Sequence, residues 1–424
     1  MKEEFIHYVW KHQMFSKNAL ITTENKRVNI QSVGQHNQNS GPDFLNAKIE
    51  IDDLVWVGNV EIHVKSSDWY LHQHECDINY DTVVLHVVWN DDVEIFDKNN
   101  QLLPTIEVSN FVSKDVLAHY HRLFSKELRW IPCEKLISSV DSFVIENWKT
   151  RLYFDRLEAK SKLIDGLLLK TNNDYEAVLF QLLMKSFGLK INGDSFLNLA
   201  NSISFSILRK TQNNALKLNA LLFGQAGFLN DDVEEAYYLS LKAEYDFLKH
   251  KFQLQPINES QFRFFKMRPT NFPTIRIAQV AAVYHKHQSL FSELMKFSNL
   301  EGFYNLFSVD IDEFWQTHYT FKKLSAPRAK SITKNFVDLL LINTIIPLKF
   351  NYLKSLNVDV DETLFGFLKN IKPEKNSVIS KFENLSVKAK NAFDSQALLE
   401  LKNNYCAKKR CLQCAIGNDL LKKT

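Results

Sequence analysis

The chain has 424 residues, of which 45% are hydrophobic and 24% charged, with a formal net charge of +3. That length accommodates two or three domains with real cores, and the small net charge excludes a polycation, so any grip on nucleic acid must come from local patches. Eleven glycines and nine prolines are few for this length, which favours long helices over a large all-β fold, and no apolar run reaches the roughly 18 residues of a membrane span.

The N-terminal stretch MKEEFIHYVWKHQMF carries early acids and no small-residue cleavage site. It reads as a helix over residues 3 to 15 and not as a signal peptide, so the protein is expected in the cytoplasm. Phe5, Val9 and Trp10 fall on one helical face, with Ile6 beside them. Residues 20 to 39 are polar and turn-rich, ending in GQHNQNSGP. An extended run follows from Phe44 to Ile51, and Asp52-Asp53 signals a turn. The next run, Leu54 to Lys65, starts apolar and then alternates. Val60, Ile62 and Val64 take one face, and Glu61, His63 and Lys65 the other. A His-rich segment, DWYLHQHECDINYD, leads to VVLHVVW at 83 to 89, whose β-branched residues fit a buried strand. EIFDKNNQLLPTIEV reads as a further hairpin turning at Lys98 to Asn100.

Past about residue 110 the period changes from two to about 3.6, as in DYEAVLFQLLMKSFGL and NFVDLLLINTIIPLKFNYLKSL. Prolines at 269, 273, 327, 347 and 373 mark turns or helix ends. The expected class is α+β. A mixed α/β domain spans 1–125, and a larger all-α domain spans 126–424 and ends in a basic, Cys-rich tail. A further break falls near 255 to 275.

The alternating strand carries chemistry. A hydrolase that cuts phosphodiesters with a divalent ion needs clustered carboxylates to hold the ion and groups to handle water and developing charge. A hairpin supplies these when one acid opens the first strand and a second acid and a basic residue sit two apart on the next. Asp43 precedes the first strand, Glu61 follows 18 positions on, and His63 lies two beyond it. This pattern resembles the PD-(D/E)XK nuclease superfamily, with Pro42-Asp43 as the PD and Glu61-Ile62-His63 where Glu-x-Lys is expected. The resemblance implies a restriction-endonuclease-like fold for the first domain, Mg²⁺ or Mn²⁺ held by Asp43 and Glu61, and DNA or RNA as substrate. It also implies an acid on the first helix, for which Glu3 and Glu4 are the candidates and Glu4 is preferred. His63 departs from the pattern, because histidine is not a permanent cation. Either His63 serves as metal ligand or proton relay, or Lys65 on the same face takes the electrostatic role.

Other readings use the same residues. A solvated strand face explains alternating charge. A zinc site could be built from His63, His72, His74 and His86, with Asp68, Asp77 and Tyr80 nearby. Most of the chain also resembles an uncharacterised bacterial family of unknown function, through VGQHNQNSGPDF, GNVEIHVKSSDW, YDTVVLHVVW, RPTNFPTIRIAQ and the final CLQCAIG.

The tail holds Cys406, Cys411 and Cys414, spaced C-x4-C-x2-C; the last pair can grip one metal around a turn. Cys133, in WIPCE, is the chosen fourth ligand, with Cys76 or a histidine as alternatives. Zinc and iron–sulfur are both open, because the spacing matches neither a ferredoxin run nor a paired zinc ribbon. Some superfamily nucleases are similar in pinning a structural [4Fe–4S] cluster with one remote cysteine and three near the C-terminus, although here Cys133 follows the nuclease-like segment. Reduced thiols packed on a helix end are the plainer reading. The tail is also basic, with Lys402, Lys408, Lys409, Arg410, Lys422 and Lys423 against the single acid Asp419. In mid-chain, FRFFKMRPTNFPTIR interleaves Arg263, Lys266, Arg268 and Arg276 with aromatic rings, a composition suited to gripping nucleic acid. The functional expectation is a metal-dependent nuclease. The alternative is a non-catalytic nucleic-acid-binding or scaffold protein with a degenerate nuclease core.

Overall fold

The computed structural model describes residues 1–16, 20–37, 39–124, 129–358 and 362–422. It has the α+β class: an N-terminal mixed sheet with helices, then a larger helical region. By packing, the chain divides into two units. The first comprises 1–150, 381–387 and 399–424, and the second 151–380 and 388–398.

The first unit begins with helix α1 (Glu3–Lys11), shorter than the 3 to 15 expected. Its apolar stripe of Phe5, Ile6, Tyr8, Val9 and Trp10 is buried, and its acids open it while Lys11 closes it, as the helix dipole prefers. Strands β1 (Val28–Ser32), β2 (Gln35–His36), β3 (Phe44–Ile51), β4 (Leu54–Lys65), β5 (Val83–Asn90) and β6 (Thr105–Glu107) form one sheet in the order β1-β3-β4-β5-β6, with β2 also on β3. The β3–β4 hairpin closes through Asp52 and Asp53, both with positive φ (46° and 66°), the conformation a tight two-residue turn requires and which Asp tolerates.

After β4 the chain makes a short helix, α2 (Asp68–Leu71), and two single turns before β5 enters parallel to β4. β6 then adds in parallel to β5. The turn expected at Lys98 to Asn100 is present, with the Asp97 N–H donating to the Gln101 carbonyl at 2.9 Å, but the hairpin it closes is only a single antiparallel bridge, Phe96 to Leu102. Thr105 to Glu107 pair with the free edge of β5, where Ile106 reaches the core; satisfying that strand's backbone outweighs lengthening a two-stranded ribbon. β4 changes character along its length. Leu54 to Val57 are exposed, whereas Val60 to His63 are all buried, so both faces are covered where Glu61 and His63 lie.

The C-terminal tail belongs to this same unit: helix Ala415–Lys422 packs on α3 (Lys114–Leu123), and the turn Cys411–Gln413 packs on α1.

Among its described residues the second unit is helical apart from a two-stranded ribbon, His318–Thr320 with Lys323–Leu324. Its segment Lys334–Ser355 runs as one continuous helix through Pro347, which therefore does not end it. A π-helical stretch, Leu341–Ile345, precedes the proline, and the Asn343 carbonyl, four residues before Pro347 and so denied an intrahelical N–H, accepts from Lys160 Nζ at 3.0 Å. Among the described residues this helix alone is long and apolar enough to cross a membrane, and 67% of its apolar window is buried in the protein.

Candidate metal centre

The hairpin register sets the site. Phe44 faces Val60, and a bulge between Phe44 and Ala47, with Asn46 at φ 57°, turns the strand start toward β4. Bulges re-aim side chains in this way. The Pro42-Asp43 turn is held from outside by Asn37, whose side-chain amide donates to the Ser40 and Pro42 carbonyls and whose N–H bonds the Asp43 carbonyl at 2.7 Å. That is the structural use of the polar GQHNQNSGPD stretch.

Asp43 and Glu61 then lie side by side. The Asp43 N–H donates to Glu61 Oε2 at 3.1 Å, and the Ile62 N–H donates to Asp43 Oδ2 at 3.0 Å. Glu61 Oε1 lies 3.5 Å from His63 Nε2 and 3.4 Å from His74 Nε2. His63 Nε2 lies 3.1 Å from His72 Nδ1. One nitrogen from each of His63, His72 and His74 falls within 4.8 Å of the others. Ligands at about 2.1 Å from one ion would be separated by roughly 3.0–3.4 Å; the Glu61–His63, Glu61–His74 and His63–His72 separations lie near that range, so the three histidines form the candidate ligand cluster and Glu61 borders it at His63 and His74.

A second layer orients these ligands. His63 Nδ1 lies 2.8 Å from His86 Nε2. With Nε2 free to ligate, His63 donates its Nδ1–H to His86, as imidazole ligands commonly do toward a partner behind them. His86, expected as a ligand in the zinc reading, is fully buried in this second layer. Tyr80 stacks on His74, with ring centroids 3.7 Å apart, and Trp69 meets the same ring edge-on. Above the site, α1 contributes His7, whose Nε2 is 3.2 Å from Asp43 Oδ2 and 3.7 Å from Glu3 Oε1.

Electrostatics distinguish the groups. Burial, reinforced by the charge of Asp43, pushes the Glu61 carboxyl up to about 9. Burial, with the neighbouring His74 and His72, pulls His63 down to about 3. His86 is held well below its usual range by burial, and His74 is also lowered by burial. His7 goes the other way. Burial lowers it, but its hydrogen bond to Asp43 and the charges of Asp43, Glu3 and Glu61 together raise it. The result is a set of neutral imidazoles, each with a free ring nitrogen, beside a Glu61 carboxyl that burial keeps protonated in the metal-free protein. A bound cation would take the place of that proton, since ligands must be deprotonated and a buried anion needs a partner. The site opens to solvent at exposed His72, at Glu3 (42%) and at Asp43 (21%).

Lys65 does not join the site. It shares the strand face but lies two residues further, about 6.6 Å along the strand. There β4 leaves its cover, and the side chain is 57% exposed, with its ammonium 3.8 Å from Asp92. Glu4 does not join either: it is exposed, and Glu3, one helical turn from His7, is the helix acid that faces Asp43. Asp68 and Asp77 are engaged as backbone caps, Asp68 for the Lys65 N–H and Asp77 for the Asn79 N–H. The sequence reading missed His7; its position four residues after Glu3 on a helix preceding the hairpin was the available signal.

Residues 3–377 match a protein family described as a protein of unknown function, DUF2851. The chain belongs to this family. No curated protein and no solved structure matches it. The family match includes the whole carboxylate–histidine centre and Cys133, and ends before the three tail cysteines.

Two other expected groups have definite places. Cys133, Cys406, Cys411 and Cys414 line one cavity in the first unit, while Cys76 is exposed and apart from it. In the second unit Arg263, Lys266 and Arg268 are exposed, but Arg276 is not available to a ligand. It is buried, bonded to Asn271 and Gln279, and its guanidinium lies 3.7 Å from the Phe336 ring centroid. Of the basic tail, Lys402 donates to the Trp130 carbonyl at 2.6 Å, and Lys423 lies outside the described residues.

Proposed function

We propose that this protein is a metal-dependent phosphodiesterase of the nuclease type, acting on DNA or RNA. One observation carries the reading. An acid at the start of one hairpin strand and an acid and a histidine two apart on the next converge with two further histidines at a solvent-facing opening. The sheet around them supports it: the catalytic-type hairpin is antiparallel, the following strands are parallel, and a helix bearing Glu3 and His7 precedes it.

Glu61, His63, His72 and His74 would hold the ion, and three imidazoles with one carboxylate suit Mn²⁺ or Zn²⁺ better than Mg²⁺, which prefers oxygen ligands and keeps its waters. When bound, the ion supplies Lewis-acid stabilisation of charge on a phosphoryl group. Asp43 is the accessible carboxylate, held by the Ile62 N–H, and accepts a proton from an attacking water. His86 fixes the tautomer of His63. His7, the imidazole whose protonated form the site favours, supplies the positive charge that Lys65 is too remote to give.

A second reading keeps the metal centre but assigns nucleic-acid binding to the exposed segment around Phe265. That ring is 82% exposed, with Lys266 Nζ 5.2 Å from its centroid and Arg263 and Arg268 on either side in sequence. The experiment that separates the two is incubation of the purified protein with single- and double-stranded DNA and RNA, with Mn²⁺, Mg²⁺ or Zn²⁺, beside Glu61→Ala. Metal-dependent cleavage lost in the variant is expected. Binding by both proteins without cleavage would transfer support to the second reading.

A further inference from the structure

The geometry points to a second metal site, remote in sequence from the first: Cys133, Cys406, Cys411 and Cys414 ligate a four-iron iron–sulfur cluster that fastens the C-terminal tail to the first unit. The four residues come from two segments some 270 positions apart, yet they line one cavity. Each thiol lies close enough to the other three to feel their charge. None of the four is in a disulfide.

The local chain is shaped for this meeting. The helix that precedes the tail passes into a π-helical segment, Leu401–Cys406, which ends on the first tail cysteine; such segments recur at functional sites. Lys409 takes a left-handed conformation, φ 52°, turning the chain back toward Cys411. Gly417 lets the next helix close on that turn, because a Cβ there would lie 2.1 Å from the Cys411 carbonyl oxygen. The Ile416 and Gly417 N–H groups and the buried indole N–H of Trp148 all face the Cys414 sulfur, and the indole has no other partner in the protein. Donors gathered on one sulfur favour its thiolate, the form that ligates metal. Lys402 and Lys409 lie near the Cys406 and Cys411 sulfurs and would offset the charge of four thiolates. The remaining wall is mostly apolar, with Ile131, Ile137, Leu401 and Ile416, and Tyr405 and Arg410 also line it.

The size of the occupant follows from the spacing. Four thiolates at about 2.3 Å from one zinc ion stand only about 3.8 Å apart and leave no space between them. Here the four cysteines line one void, yet among the described residues no three of their sulfurs lie within 4.8 Å of one another, whereas three histidine nitrogens do. A wider thiolate cage around a single void suits a cubane cluster. A two-iron centre would instead divide the sulfurs into two pairs.

The test is direct. The full chain is produced and purified without oxygen, and iron, zinc and acid-labile sulfide are measured per chain beside the visible spectrum. About four iron and four sulfide, with a broad visible absorption bleached by dithionite, is expected. Cys411→Ser and Cys414→Ser should lose most of the iron, while Cys76→Ser should keep it. Iron removal from wild type by oxidation and chelation should open the tail to trypsin at Lys408, Lys409 and Arg410 while the rest of the chain resists. One zinc per chain, two iron per chain, or a wild-type protein that takes up neither iron nor sulfide on reconstitution would each overturn the proposal. Because the readout is metal content, it is independent of whether the histidine centre cleaves nucleic acid.

Discussion

Asp43 and Glu61 are fastened to each other's strand. The backbone N–H of Asp43 donates to the Glu61 carboxylate, and the N–H following Glu61 donates to the Asp43 carboxylate. Neither side chain can swing away without leaving a part-buried amide unpaired, so the pair is pre-positioned rather than assembled on binding. Asp43→Asn keeps an acceptor for the Ile62 N–H while losing the charge. The expected outcome is a fall in metal-dependent cleavage of a hundredfold or more, with a melting temperature close to wild type, read by a nuclease assay and thermal denaturation. Lys65→Ala should leave cleavage within about twofold, since the ammonium lies beside Asp92 and away from the site. If Lys65→Ala were the more damaging of the two, the assignment of this site would be wrong.

The histidines carry a separate expectation. His72 is the exposed member of the ligand set, so His72→Ala should leave the fold intact and weaken Mn²⁺ or Zn²⁺ binding at least tenfold in calorimetric titration. His86→Phe removes the partner of His63 Nδ1 without touching the ion. Loss of such a partner typically costs 10- to 100-fold in metal affinity. Its effect should appear as weakened affinity at unchanged stoichiometry. Unchanged affinity in both variants would place the ion elsewhere.

The metal-free protein should show a stability profile with a defined sign. Glu61 would titrate near 4.5 when unfolded and near 9 when folded, so between those values the folded state holds the extra proton and stability falls as pH rises. His63, near 6.5 unfolded and near 3 folded, acts oppositely: its contribution rises from pH 3 and is complete above 6.5. The two oppose each other from 4.5 to 6.5, and Glu61 acts without that opposition from 6.5 to 9. Apo stability should therefore decline across pH 6.5–9, by on the order of 1 kcal/mol per unit at most. Glu61→Gln should flatten that limb, and saturating metal should do the same. Denaturant titrations at pH 6.5, 7.5 and 8.5 would check it; a Glu61→Gln profile as steep as wild type would remove Glu61 as its cause.

Much of this site could be read in the sequence because its pieces are local. The Asp52-Asp53 turn fixes the hairpin, and the hairpin fixes which residue of β3 faces Glu61. Period two along β4 put Glu61 and His63 on one face, but it also put Lys65 there. Periodicity gives the face and not the depth, and burial ends at His63 because the covering elements end there. The same limit hid the choice between Glu3 and Glu4, which depends on how α1 is rotated over the sheet. Thr105 to Glu107 were misread as half of a hairpin because their partner, β5, lies outside the local window. Pro347 was misread as a helix end because nothing nearby in sequence announces Lys160 as the donor to the carbonyl it frees. The cysteines were legible as a group through spacing, and Cys133 through its rarity.

The exposed loop of the second unit gives the last expectation. Phe265 is a large ring turned to solvent beside Lys266 and between Arg263 and Arg268 in sequence. Stacking of a base on such a ring is worth about 1–3 kcal/mol, so Phe265→Ala should weaken single-stranded DNA or RNA binding by roughly five- to a hundredfold at fixed salt. Arg263→Gln and Arg268→Gln remove phosphate partners instead. Each should lower the slope of log affinity against log salt by about 0.7 for single strands. Arg276, the fourth cation of the same stretch, is the contrast. Its guanidinium is buried against Phe336 and tied to Asn271 and Gln279, so Arg276→Gln should destabilise the protein and leave the salt slope of the folded fraction unchanged. Fluorescence anisotropy with a labelled oligonucleotide at several salt concentrations measures all four variants. Equal affinity and equal slope for wild type, Phe265→Ala, Arg263→Gln and Arg268→Gln would mean that nucleic acid does not dock at this loop, and the search for its path would return to the surface around His72 and Glu3.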